Sequence, residues 1–83
     1  MIAHGRVQGV FFRDTTLRAA ESRGVTGWVR NREDGAVEAV FEGEPDAVES
    51  MVRLAREGPG RAEVAELEVA EEEPEGLSGF RVA

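Results

Sequence analysis

The hydrophobic positions at the start of the chain change from strand-like to helical spacing. Residues 2–7 form a short apolar run that predicts a first strand, and residues 8–12 predict a loop. Residues 13–23 predict a helix, and Gly24 suits the left-handed position that commonly ends one. One face of this helix carries Thr16, Ala19, Ala20 and Arg23.

The middle of the chain predicts a β-hairpin followed by a second helix. Residues 25–32 and 36–42 alternate as the second and third strands, and Asp34-Gly35 between them supplies a hairpin turn. The second helix is predicted over residues 45–57, because proline is favoured at the first helical position. Its apolar stripe has helical spacing and consists of Val48, Met51, Val52 and Ala55.

Two further strands are predicted beyond the second helix, which Gly58-Pro59-Gly60 should stop. Residues 66–69 alternate as a fourth strand, with Val64 packing just ahead of it, and residues 80–82 form a short last strand. Between them, residues 71–76 form an acidic loop that we expect to be solvated. The order β-α-β-β-α-β with a short C-terminal strand predicts an α+β protein, a ferredoxin-like α/β sandwich whose antiparallel sheet carries two helices on one face.

This fold would bring two separate parts of the sequence together. Its first and second strands run parallel with the third between them, so their C-terminal ends lie at the same end of the sheet. We therefore expect Asn31, near the end of the second strand, to lie beside the loop and helix start at residues 8–13. Strand alternation places Asn31 on the same face as Val25, Gly27 and Val29.

Length and cysteine content restrict the class of protein. The 83 residues allow one small domain, residues 1–83, with a single core. The absence of cysteine excludes disulfides, thiolate zinc sites and thiol nucleophiles, and it fits a reducing cytoplasm. No apolar run approaches the roughly 20 residues that span a bilayer, and the first residues do not resemble a signal peptide. We expect a cytoplasmic protein with no membrane partner.

The net charge of −7 is unevenly distributed. Residues 1–32 hold six arginines against two acids, whereas residues 33–83 hold four arginines against fifteen acids. Nucleic-acid binding depends on basic contacts to phosphate, so we expect no nucleic-acid partner. The basic first part can still attract a small anion, although solubility alone also accounts for the charge. Its arginines include Arg6, Arg13, Arg30 and Arg32. We interpret Arg6, Arg30 and Arg32 as surface or steering charges.

The run from Gly5 to Arg13, Gly-Arg-Val-Gln-Gly-Val-Phe-Phe-Arg, has the composition of an anion cradle. A helix N-terminus leaves backbone N–H groups without intrahelical partners and carries a partial positive charge. Gly9 lets the backbone approach an anion closely, and Arg13 adds a guanidinium that can hold two phosphate oxygens. The same run also fits an ordinary strand-to-helix turn with a surface arginine.

The residues near this loop limit the reaction that it can support. Cysteine is absent, and the one histidine, His4, precedes the loop on the first strand, where we expect a hydrogen-bonded strand residue. Covalent phosphoenzyme chemistry is therefore disfavoured. Asn31 can instead accept a hydrogen bond from a water and aim it at phosphorus, while Arg13 and the loop amides hold the phosphoryl charge. Such a site needs an already reactive substrate.

The run from Gly5 to Arg13, together with Gly27-Trp28-Val29-Arg30-Asn31 and Asp34-Gly35, resembles the acylphosphatase family. The resemblance implies hydrolysis of the carboxyl-phosphate bond of acyl phosphates, without a metal or cofactor. We expect a monomer that releases inorganic phosphate as product and is inhibited by it, although the sequence does not determine whether the open sheet face forms a dimer. The resemblance also implies that Arg13 binds the phosphate and that Asn31 orients the water. The implied phosphate loop consists of Gln8, Gly9, Val10, Phe11 and Phe12.

Two other functions stay open from the sequence. A carbamoyl-phosphate-hydrolysing unit, like the acylphosphatase-like domain of hydrogenase-maturation carbamoyltransferases, would keep the fold, although such domains lie within much longer chains. A non-catalytic binding module is the second, because fold does not establish function. An RNA-binding version would need aromatic residues on two central strands and a basic face, whereas the first strand has no aromatic residue. A small-anion sensor could use the same loop.

Overall fold

The computed structural model describes residues 1–58 and 62–83. Its helices and strands follow the predicted order and confirm the ferredoxin-like α+β fold. In chain order they are β1 (Ile2–Arg6), α1 (Val10–Arg23), β2 (Thr26–Asn31), β3 (Val37–Glu42), α2 (Pro45–Glu57), β4 (Glu63–Glu68) and β5 (Phe80–Val82). Within the described residues no helix is long and apolar enough to cross a membrane.

The strands form one sheet in the order β4-β1-β3-β2-β5. β3 is antiparallel to both β1 and β2, so β1 and β2 run parallel with β3 between them, as predicted. β5 pairs parallel with β2, which makes the five-stranded sheet mixed rather than wholly antiparallel. The C-terminal ends of β1 and β2 therefore lie at the same end of the sheet, where the chain enters α1 and the β2–β3 hairpin.

α1 begins at Val10, so the predicted start at Arg13 was wrong. The preceding residue, Gly9, has a φ of 151°, a conformation that residues with a side chain rarely adopt. Phe12 is buried together with Thr16, one turn further along the helix, so the first turn belongs to the face that packs on the core. The boundary was missed because no capping side chain marks it in the sequence.

The core lies between the sheet and the two helices. On α2 the predicted stripe is confirmed at Met51 and Ala55, whereas Val48 and Val52 are only partly buried. On α1, Arg23 is exposed, unlike the buried Thr16 and Ala20 of the same helix face, and its guanidinium donates to the carbonyl of Ala19. The buried apolar residues are Ala3, Val7, Phe12, Ala20, Val25, Val29, Ala36, Val37, Ala39, Met51 and Ala55.

β4 spans Glu63–Glu68, so the predicted strand over residues 66–69 was displaced toward the C-terminus. Val64 lies inside β4 rather than ahead of it, and Val69 lies outside and is 50% exposed. The pairing with β1 explains the difference. β4 follows β1 along its whole length, with an irregularity between His4 and Gly5 that the alternation of β4 alone does not reveal.

The sequence also predicts the two segments that flank β4, namely the end of α2 and an acidic loop. Gly58 ends α2 with a φ of 83°, as expected of the left-handed position, whereas Pro59 and Gly60 lie outside the described residues. Residues 71–76 are exposed, as expected of an acidic loop. They are nevertheless attached to the sheet, because the carboxylate of Glu42 on β3 accepts hydrogen bonds from two backbone amides of this segment and its flank.

Candidate active site

The start of α1 is an open helix N-terminus. Its first amides, those of Gly9, Val10, Phe11 and Phe12, precede the first intrahelical hydrogen bond. Among the described residues, no backbone carbonyl outside the helix accepts a hydrogen bond from them. The first turn carries no acidic side chain, and no side chain caps it. Because the helix dipole leaves a partial positive charge here, these amides suit an anion.

Arg13 belongs to the first turn of α1. Because helical side chains lean back toward the N-terminus of their helix, we expect the guanidinium to lie toward the open amides. The Nε of Arg13 is buried, and it has no hydrogen-bond partner in residues 1–58 and 62–83. Leaving a buried donor unsatisfied costs about 1–3 kcal/mol, so a buried donor in a native structure usually has a partner such as a protein acceptor, an ordered water or a bound ion. The adjacent Asp14 pairs with Arg18 at 3.2 Å.

A side-chain amide joins the loop before α1 to the β2–β3 hairpin. The Nε2 of Gln8 donates to the carbonyl oxygen of Arg32 at 2.6 Å and to that of Ala36 at 3.2 Å. The hairpin is closed by a 2.8 Å bond from the Arg32 amide to the Ala36 carbonyl. Its predicted turn at Asp34-Gly35 is confirmed, with the Asp34 carboxylate accepting from the Ala36 amide at 3.1 Å. Gln8 therefore fixes the hairpin relative to the start of α1.

Asn31 is the exposed last residue of β2. It precedes Arg32, whose carbonyl is bonded to Gln8, so the expected proximity of the loop and the end of β2 is present. Arg13 and Asn31 make no hydrogen bond to each other within the described residues. Alternation along the strand places Asn31 on one face with Val25, Gly27 and Val29. These three residues are buried, as expected of the face that packs on the core.

A cavity of about 210 Å³ opens beside the loop. Phe11 at its wall is 74% exposed, and Arg6 is exposed as well. A larger open cleft of about 960 Å³ lies between α2 and residues 69–74 and includes none of the loop residues. The smaller cavity, not the larger cleft, adjoins the open amides of α1. The volume of a cavity therefore does not identify the candidate site. Its lining residues are Arg6, Val7, Gln8, Gly9, Phe11, Phe12 and Ala62.

The other candidate residues from the sequence have structural contacts. The Nε2 of His4 lies 2.6 Å from a carboxylate oxygen of Glu68, which confirms a hydrogen-bonded strand residue. Arg30 pairs with Glu38 at 2.6 Å and lies 5.3 Å from the centre of the Trp28 ring. In the part of the chain that the structure describes, no group of three or more histidine, aspartate or glutamate side chains could hold a metal ion.

Sequence reasoning missed two features of this site. The acceptors of the Gln8 side chain are backbone carbonyls 24 and 28 positions away, and no residue type in the sequence signals such a contact. Ala62 reaches the cavity because β4 pairs with β1 up to Arg6, a register that the prediction had not placed. Both features are products of tertiary structure.

The fold and the open start of α1 define a ferredoxin-like α+β protein with a candidate anion-binding site. A family model described as Acylphosphatase matches residues 1–82. The chain belongs to the acylphosphatase family.

Individual relatives agree with this assignment. An acylphosphatase of Haloarcula marismortui is 60% identical over 79 residues, which cover 94% of this chain and 86% of the relative. The crystal structure of acylphosphatase from Bacillus subtilis matches with a TM-score of 0.91 at 37% identity, over 99% of this chain and 92% of that chain. Full-length HypF in its phosphate- and nucleotide-bound form matches with a TM-score of 0.85 at 30% identity, over 99% of this chain and 11% of that chain.

Proposed function

We propose that this protein hydrolyses the carboxyl-phosphate bond of acyl phosphates to a carboxylate and inorganic phosphate. The observation that carries the proposal is the Nε of Arg13 in the first turn of α1, which is buried and has no hydrogen-bond partner among residues 1–58 and 62–83. A phosphoryl group supplies the acceptor atoms that this cluster lacks. Family membership supports the reaction, since the relatives that match are named acylphosphatases.

In this proposal the phosphoryl group lies against the loop before α1 and its first turn. Arg13 holds two phosphoryl oxygens through its planar guanidinium, which keeps its charge near neutral pH. Donors fixed before the reaction stabilise the charge that develops on these oxygens in the transition state. The backbone N–H groups that complete the cradle are those of Gln8, Gly9, Val10, Phe11 and Phe12.

Asn31 orients the attacking water in this mechanism. Its side-chain oxygen accepts a hydrogen bond from the water, and its position follows from the hairpin that Gln8 holds beside the loop. The water oxygen bonds to phosphorus as the bond from phosphorus to the carboxylate oxygen breaks, and that electron pair leaves with the carboxylate. A phosphoryl oxygen of the substrate takes one proton of the water, and the other proton stays on the attacking oxygen. Because carboxylate is a good leaving group, the mechanism uses neither a strong general acid nor a metal.

Carbamoyl phosphate is the second candidate substrate. It follows from the resemblance to the acylphosphatase-like domain of hydrogenase-maturation carbamoyltransferases, and it has the same phosphoryl group as an acyl phosphate. An acylphosphatase of Haloarcula marismortui is 60% identical to this chain, whereas HypF is 30% identical. We therefore rank acyl phosphates first. That residues 1–83 act as one domain stays a prediction. The cytoplasmic location and the monomeric state stay predictions.

A substrate panel tests this function. Initial rates are measured with benzoyl phosphate, carbamoyl phosphate and p-nitrophenyl phosphate, each with EDTA present. We expect benzoyl phosphate to be hydrolysed fastest and the phosphate monoester to be left intact. A preference for carbamoyl phosphate would favour the second candidate. Turnover that EDTA abolishes would contradict the metal-free mechanism, and phosphate binding without any turnover would indicate an anion-binding module.

A further inference from the structure

Phe11 is a large apolar side chain that the fold leaves in water. Its exposed fraction is 74%, compared with 2% for the neighbouring Phe12. Burying an aromatic ring is strongly favourable, so the position of Phe11 has no explanation in the stability of the core. It stands in the first turn of α1, directly beside the open amides.

The ring of Phe11 forms one wall of the 210 Å³ cavity. Val7, Phe12 and Ala62 give the cavity further apolar surface, and no acidic side chain lines it among the described residues. Among the described residues that line the cavity, only Arg6 has a charged side chain. The cavity is therefore apolar with a positive rim, and it continues directly from the backbone of Gly9, where the phosphoryl group is proposed to bind.

We propose that this cavity binds the acyl group of the substrate and that Phe11 selects planar, apolar acyl groups, above all aromatic ones. The inference rests on the proposed function, because the acyl carbon is joined to the phosphoryl group through a single oxygen and must lie next to it. A flat ring at that place stacks against a conjugated or aromatic acyl group. A methyl group offers little surface for such a contact, and a cationic acyl group would meet Arg6 without a compensating carboxylate.

The test compares kcat/KM for benzoyl phosphate with kcat/KM for acetyl phosphate. Because the phosphoryl groups are identical and the difference in leaving group is the same for every variant, a change in this ratio between variants isolates the contact with the acyl group. We expect Phe11→Ala to lower this ratio about tenfold, the size of one lost aromatic stacking contact. Phe11→Tyr, which keeps the ring, should retain the ratio. Val69→Ala is the matched control, since Val69 is an exposed apolar residue away from the cavity.

The outcomes separate this inference from the proposed function. If the wild-type protein hydrolyses both substrates and Phe11→Ala changes their kcat/KM values by the same factor, the acyl-group role of Phe11 is wrong while the function stands. If the wild-type protein hydrolyses neither substrate, the proposed function and the inference fail together. Circular dichroism of each variant confirms that the helices are retained, as expected for substitutions at exposed positions.

Discussion

The side-chain amide of Gln8 donates a 2.6 Å hydrogen bond to the backbone carbonyl of Arg32 and so joins the start of α1 to the residue that follows Asn31. The two halves of the proposed site come from separate parts of the chain, and this contact sets their spacing. It involves a backbone acceptor, so its geometry does not depend on the side chain of Arg32.

Removal of the Gln8 side chain should impair catalysis more than phosphate binding. We expect Gln8→Ala to lower kcat about tenfold and the free energy of unfolding by about 1 kcal/mol, the usual net value of a hydrogen bond. Inhibition by phosphate should be retained, because the backbone amides stay. Arg32→Ala is the control, since it keeps the carbonyl that Gln8 binds and should leave kcat near the wild-type value. Equal losses of kcat in both variants would contradict a role specific to Gln8.

Asn31 should contribute to the rate but not to phosphate affinity. Asn31→Ala removes the group that we propose orients the water, and we expect the loss of one such preorganised group to lower kcat by about 10²- to 10³-fold. The inhibition constant of phosphate, measured in the same assay, should change little, because Asn31 does not belong to the cradle. Parallel losses of kcat and phosphate affinity would mean that Asn31 has a structural role.

The attachment of the acidic segment can be tested at Glu42. Its carboxylate accepts hydrogen bonds from the amide of Glu75 and, at 2.9 Å, from that of Leu77. Glu42→Ala should raise the exchange rates of both amides about tenfold or more, measured by NMR, because they lose a charged acceptor. Glu73→Ala, a substitution in the same exposed segment, should leave these rates unchanged. Unchanged exchange in Glu42→Ala would exclude the attachment.

Gly27 on β2 should tolerate no side chain. It has a φ of 139°, and a Cβ there would overlap the backbone carbonyl of Val40 on β3. Gly27→Ala is expected to lower the free energy of unfolding by about 3 kcal/mol or more, measured by urea denaturation. Gly35→Ala is the matched control, because Gly35 also has a positive φ but faces open space, and its cost should be only about 1–2 kcal/mol. Similar costs for both variants would contradict the steric explanation.

The sequence was sufficient for the elements whose ends carry local signals. Pro45 begins α2, Gly24 ends α1 in the left-handed conformation, and Asp34-Gly35 forms the hairpin turn, all as predicted. In each case the residue type itself restricts the backbone. The strand order followed from the element order, and with it the expected proximity of Asn31 to the loop.

Features without a local signal were not predictable. α1 begins after a glycine that no side chain caps, so no residue type marks the boundary and the prediction of a loop over the first turn was wrong. The length of β4 depends on its pairing with β1, which only the folded sheet determines. The contact of Gln8 with a carbonyl 24 residues away was not predictable for the same reason, because only the folded chain brings the two groups together. At the candidate site, the sequence predicts the residues, and these stay a prediction, whereas the contact between Gln8 and the hairpin was not predicted.

The central claim is that Arg13 and the open start of α1 hold the phosphoryl group of an acyl phosphate. The most direct test is benzoyl phosphate hydrolysis with EDTA, with and without added phosphate, by the wild-type protein, Arg13→Ala and the control Arg18→Ala, an exposed arginine of the same helix. We expect wild-type and Arg18→Ala proteins to turn over and to be inhibited by phosphate, and Arg13→Ala to lose both properties while staying folded. Near-normal turnover by folded Arg13→Ala would contradict the account.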